Sequence, residues 1–212
     1  MSRAPTDRYA SFDYCFNYFQ SRREAGHIRA LADPADLQLS CLHLGFYLAS
    51  WGMYRGSTAL LQQSVKRLAP VIAAIAAAPP AIWSVDADDY SGATVDLVFE
   101  IGRRLRLALP PGSTDTLVTK IMLGVFGCVP ALDANFVEGF RRAGYGRASF
   151  RPETLRRIAR FYDAQAAVIE RFRVPTLDFD TGQPTNRLYS RAKVIDMIFF
   201  VEGGGEALKA RP

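Results

Sequence analysis

Proline and glycine cut this chain into short apolar segments, and inside them hydrophobic residues recur at helical rather than alternating spacing. The breaks fall at Gly26, Pro34, Pro79-Pro80, Pro110-Pro111-Gly112, Gly127, Pro130, Gly144, Pro152 and Pro175. No polar–apolar alternation persists long enough for a sheet. The expected fold is therefore all-α, a compact orthogonal array of about seven to nine helices around one core. It is expected to be a single domain over residues 1–212, with a candidate seam near residues 79–89. Hydrophobic residues are 49% and charged residues 22% of the chain, which excludes the composition of a disordered polypeptide.

Individual helices follow from their start and stop signals. Ser11 to Ala25 is strongly aromatic and ends at Gly26. Asp36 to Tyr54 carries Gly45, Ala49, Gly52 and Gly56 along one stripe and is expected to be the central helix. Ser57 or Thr58 caps a segment running to Lys66, and Pro70 opens one that ends at Pro79-Pro80. Ser84 to Gly92, with Asp86, Asp88 and Asp89, reads as a surface loop. Further helices are expected over Thr94 to Leu107, Leu117 to Phe126, Asp133 to Ala143, Pro152 to Phe172 and Asn186 to Val201. Val174 to Thr185 is expected to be the longest irregular connection, and Gly203-Gly204-Gly205 a frayed tail.

The longest apolar run, Leu37 to Tyr54, is interrupted by Gln38, Ser40, His43 and Ser50, so it reads as a buried helix rather than a membrane span. Met1 to Tyr9 lacks the apolar stretch of a secretory signal, and a cytoplasmic location is the expectation. Cys15, Cys41 and Cys128 are odd in number and lie in apolar runs, which points to buried small hydrophobes rather than disulfides. With only His27 and His43, and no CxxC or HExxH, no metal site and no cofactor are expected. His43 reads as a core histidine. Net charge is +5, which favours anionic partners such as nucleic acid without requiring them.

The segment 109–146 carries the most distinctive pattern. It runs Leu109-Pro110-Pro111-Gly112, Thr119-Lys120, Phe126-Gly127, Pro130-Ala131-Leu132-Asp133, Phe136, Arg141 and Gly144. This pattern resembles the active-site stretch of the helix-hairpin-helix DNA glycosylases. In that superfamily a Leu-Pro-Gly turn opens a hairpin, and a Pro-Val-Asp segment presents an aspartate at a helix start. The resemblance implies a nucleic-acid partner and a catalytic carboxylate at Asp133, with Lys120 assisting. It also implies phosphate contact near Ser113. Two departures are Gly112-Ser113-Thr114 in place of Gly-Val-Gly, and a lysine that follows Thr119 where the family's catalytic lysine precedes its threonine. The alternative for Asp133 is an ordinary helix cap.

Two further groups are candidates. Trp51, Tyr54 and Arg55, with Tyr14 and Tyr18 of the first helix, could stack a base or line a cleft for a small apolar ligand or a protein partner. Core packing is the alternative for the aromatics, and an ion pair with Asp13 or Glu24 for Arg55. Arg141, Arg156 and Arg160 could touch phosphates, or form a solvated face with local carboxylates.

Overall fold

A computed structural model describes residues 4–56 and 58–204. Eight helices account for most of it: α1 (Ala10–Glu24), α2 (Leu37–Ser50), α3 (Ala69–Ala76), α4 (Gly92–Ala108), α5 (Asp115–Phe126), α6 (Ala134–Phe140), α7 (Pro152–Arg171) and α8 (Arg191–Glu202). Short 3-10 turns link several of them. One antiparallel hairpin, β1 (Pro175–Leu177) with β2 (Pro184–Leu188), sits between α7 and α8. The mostly helical expectation holds, and one continuous cluster of buried side chains extends from Phe12 to Phe199.

The central helix is α5, not the segment beginning at Asp36. Every residue from Leu117 to Phe126 is buried, including Thr119 and Lys120. Its boundaries are chemically explicit: the Thr114 hydroxyl accepts from Leu117 N at 3.3 Å, and Gly127 closes the helix at φ 71°. α4, the turn Leu109–Thr114 and α5 form a helix–turn–helix unit. α1 and α2 pack against α5, and Tyr47 of α2 lies where Gly124 has no side chain; a Cβ there would come within 2.4 Å of its ring.

α2 stops at Ser50, four residues before the expected end, because Gly52 and Gly56 adopt positive φ and turn the chain. The glycine stripe therefore does not face a partner helix along its length. Gly45 faces Val65 of a 3-10 turn, and Gly52 faces the side chain of Arg55 from its own turn. Thr58 opens no helix, its hydroxyl bonding Met53 O instead, while the alternative cap Ser57 lies outside the described residues. Ser84–Gly92 is not a simple surface loop: Asp86, Ala87 and Tyr90 are buried. The connection after α7 is likewise ordered, because Asn17 and Asp13 of α1 bond Leu177 O and Leu177 N and hold β1 in place.

α6 and α8 approach at backbone distance. A Cβ on Gly139 would sit 2.0 Å from Phe199 O, and one on Gly203 would sit 1.8 Å from Asn135 O. Gly203 thus caps α8 against α6 rather than starting a frayed tail, and Gly205 lies outside the described residues. Cys15, Cys41 and Cys128 are buried and unpaired. Among the described residues no helix is long and apolar enough to cross a membrane.

Candidate functional site

The turn Pro130–Asp133 leads from α5 into α6, and side chains from two helices fix its backbone. Asp196 Oδ1 of α8 accepts from Ala131 N at 3.0 Å, and Thr119 Oγ1 of α5 accepts from Leu132 N at 3.0 Å. Thr116 Oγ1 donates to Leu132 O at 2.9 Å. The turn ends on Asp133, whose Oδ1 accepts from Phe136 N at 3.0 Å and so caps α6. Its other oxygen, Oδ2, accepts from Lys120 Nζ at 2.9 Å.

A second ion pair lies on the same side of the turn. Lys193 Nζ donates to Asp196 Oδ2 at 2.9 Å, so Asp196 bridges an ammonium and the backbone of the turn. Both pairs are withdrawn from solvent. Side-chain exposure is 4% and 18% for Lys120 and Asp133, and 7% and 10% for Lys193 and Asp196. Water screens such pairs weakly, and removing one member leaves a buried charge. Burial, followed by the negative charge of Asp196, Cys15 and Asp133, pushes the Tyr47 phenol well above its usual range.

Trp51 covers both lysines. Lys120 Nζ lies 5.3 Å and Lys193 Nζ 5.4 Å from its ring centroid, within cation–π range. Phe200 packs against the indole at right angles, and on the outer side Tyr9 and Arg8 lie over it, the Arg8 guanidinium 5.1 Å from the ring. The Trp51 Nε1 and the Tyr54 hydroxyl are buried donors without a hydrogen-bond partner among the described residues. An aromatic face, two ammoniums and two carboxylates thus meet at one turn. Such a centre, its two ammoniums balanced by its two carboxylates, can offer a fixed carboxylate to a developing positive charge.

The structure therefore brings together Asp133, Lys120 and Trp51 from the sequence-derived candidates. Asp133 is both the helix cap and the acid of an ion pair, so the two readings of it are not exclusive. Lys120, on α5, is buried. The remaining aromatic candidates make other contacts. Tyr14 packs on Phe179 and donates to Pro5 O, while Tyr18 stacks on His43 and shares a hydrogen bond with Ser40. His43 is half-buried; burial first, then Arg22, lowers its pKa. Arg55 is exposed and forms no ion pair among the described residues. The acids expected to take it are engaged elsewhere, Asp13 with Tyr189 and Leu177 N, and Glu24 with Arg187.

The arginine candidates lie on solvated faces. Arg141 and Arg142 share Glu138, and Arg156 and Arg160 share Glu153. Ser113 O accepts from Arg106 Nη1 at 2.8 Å, and Arg106 also pairs with Asp115, so a balanced ion pair lies against the start of α5. Lys193, Asp196, Arg8 and Tyr9 were not singled out from sequence. The available signal was a lysine and an aspartate at i and i+3 inside the apolar run Ala192–Phe200. Among the described residues no group of three or more His, Cys, Asp or Glu is placed to hold a metal ion.

No protein-family model matches this chain, and neither a curated protein nor a solved structure matches it.

Proposed function

We propose that this chain is a nucleic-acid-associated protein of helix-hairpin-helix glycosylase design, with Asp133 as the carboxylate of its site. The observation that carries the reading is the contact of Lys120 with Asp133 at the start of α6, beneath the ring of Trp51. A carboxylate so held suits a reaction in which positive charge develops at the anomeric carbon of a sugar. Lys120 balances the carboxylate and keeps one oxygen fixed, while Trp51 gives an extruded base a face to stack on once Arg8 and Tyr9 are displaced.

Charge supports the same partner. The net charge is +5, and Arg106 of α4 stands at the turn into α5, bonded to Ser113 O and paired with Asp115. The first turn of a helix gathers N–H groups that receive a phosphate oxygen, and a phosphate there would compete with Asp115 for Arg106.

The test is a gel-shift titration at low salt with single- and double-stranded DNA, followed by base-release assays on Asp133→Asn. Retardation that weakens steeply with salt is expected. Absence of retardation of either form overturns the reading.

A second reading, a helical module for a protein partner, is favoured by the outer face of α2. There Leu39, Leu42 and Phe46 are 44%, 44% and 63% exposed at helical spacing, with no charged residue on the helix. Binding unaffected by salt and abolished by Phe46→Ser would favour it.

A further inference from the structure

The inner side of α2 is spent on the core: Cys41, Leu44 and Leu48 are buried there. On the opposite side Leu39, Leu42, Phe46 and Ala49 are exposed, at successive spacings of three, four and three residues. That spacing is the seam by which one helix packs along another. From Leu37 to Tyr54 the chain has no Asp, Glu, Lys or Arg, so nothing charged interrupts the seam.

The exposed charges that flank α2 stand at its two ends and have opposite sign. Asp33 precedes the helix, its carbonyl accepting from Leu37 N at 2.8 Å. Arg55 follows it, with its guanidinium over Gly52 at the helix exit. Asp36, also at the start, is taken by Arg22 at 2.9 Å, but neither Asp33 nor Arg55 forms an ion pair among the described residues.

These positions mirror one another about Leu44. Leu42 and Phe46 lie two residues to either side of it, Leu39 and Ala49 five, and Asp33 and Arg55 eleven. A twofold axis across the helix at the level of Leu44 therefore sets Leu42 of one copy against Phe46 of the other, Leu39 against Ala49, and Asp33 against Arg55, each twice. A parallel pairing would instead bring Asp33 onto Asp33 and Arg55 onto Arg55. We propose that the outer face of α2 is the contact of a symmetric, antiparallel dimer of this chain. A partner of different sequence gives no reason for apolar and charged positions to mirror one another about one residue. Three large apolar side chains per copy fall short of the roughly 800 Å² per partner of a standard interface, so the dimer is weak and reversible. The dimer rests on the protein-partner reading of the α2 face and gives it an occupant, whereas the nucleic-acid reading of the Asp133 turn has no part in it.

Sedimentation of the full chain over about 10 µM to 1 mM tests this range of affinity. The mean mass should rise with concentration from the 23.5 kDa of one chain towards twice that value. Leu42→Glu, at an exposed position, should keep the native circular dichroism and raise the dissociation constant at least about a hundredfold, because two leucines are lost from each dimer. Asp33→Arg and Arg55→Asp should each weaken self-association about tenfold at low salt. An equimolar mixture of these two variants should associate as tightly as the parent, since each contact between the unlike chains again joins acid to base. Mass that stays at one chain throughout overturns the dimer and leaves the face to a partner of different sequence. Association unaffected by Leu42→Glu, or a mixture no tighter than its components, also overturns it.

Discussion

Gly139→Ala tests the claim that α6 and α8 meet at backbone distance. The added methyl would stand 2.0 Å from Phe199 O and 2.8 Å from Gly203 N, both backbone atoms that no rotamer change can move aside. The nearest approach is more than an ångström short of ordinary van der Waals contact, so the helices must separate. Overpacking of a fixed core costs typically 1–3 kcal/mol, and an obstruction made of backbone belongs at the top of that range, about 3 kcal/mol. Alanine returns about 1 kcal/mol of helix propensity, for a net loss of about 2 kcal/mol. In a domain near this size each kcal/mol moves the midpoint by about 2–4 °C, so thermal denaturation should shift down by about 4–8 °C. Gly92→Ala is the control, because nothing lies within 4 Å of its Cβ position and its φ is unstrained; its midpoint should stay within about 2 °C of the parent. Equal midpoints for the two variants would refute the close approach. A secondary readout is the Ala131 amide resonance, since parting α6 from α8 draws the turn away from Asp196.

Lys193→Met should destabilise by about 3–5 kcal/mol in denaturant titrations, because Asp196 stays buried without its counter-charge, and adding Asp196→Asn should recover part of that loss. Glu100, bonded by Arg103 and Arg104, and Glu138, bonded by Arg141 and Arg142, are each lowered from an ordinary 4.5 to about 2. Because the folded state binds these protons more weakly than the unfolded chain, the stability they contribute is present above about pH 4.5 and is lost as pH falls towards 2. NMR titration should place both midpoints near 2, and ordinary midpoints would contradict the paired geometry. Burial pushes the Cys15 and Cys128 thiols far above their usual range. Ellman's reagent should leave both unreacted in the native protein and modify them only as it unfolds; rapid native labelling would show that they are not enclosed.

Local signals in the sequence located what local chemistry decides. Thr114, Gly127 and Asp133 bound their helices as capping rules require, and the same rules found the ends of α4 and α7 within a residue or two. Elements whose structure depends on distant partners were illegible. Asp86 reads as one acid of a soluble loop, yet it is buried because its carboxylate accepts from Arg191 N and Ala192 N and caps α8 from the other half of the chain. That burial raises its pKa against the backbone bonds that lower it. The hairpin strands carry turn-forming Pro175 and Pro184, and they pair because α1 supplies Asn17 and Asp13 from far away. The candidate site divides in the same way. Asp133, Lys120 and Trp51 lie in distinctive local settings, whereas Lys193 and Asp196 acquire a role only when α8 reaches the turn.

The polar centre beneath Trp51 draws on the N-terminal residues Arg8 and Tyr9, on α2, α5 and the turn before α6, and on α8 near the other end of the chain. Lys193–Asp196 is a local pair within α8 and Lys120–Asp133 spans only the turn from α5 to α6, but the contacts of Trp51 with both lysines and of Asp196 with Ala131 N join distant segments, so the complete centre forms only once these have docked. Hydrogen exchange should therefore find the Ala131 amide, bonded to Asp196 of α8, protected only against opening that parts α8 from the turn, whereas the Leu117 amide, bonded to its neighbour Thr114, can regain protection as soon as α5 forms. A fragment ending before α8 would keep Asp133 as a residue but lose the centre that gives it a setting.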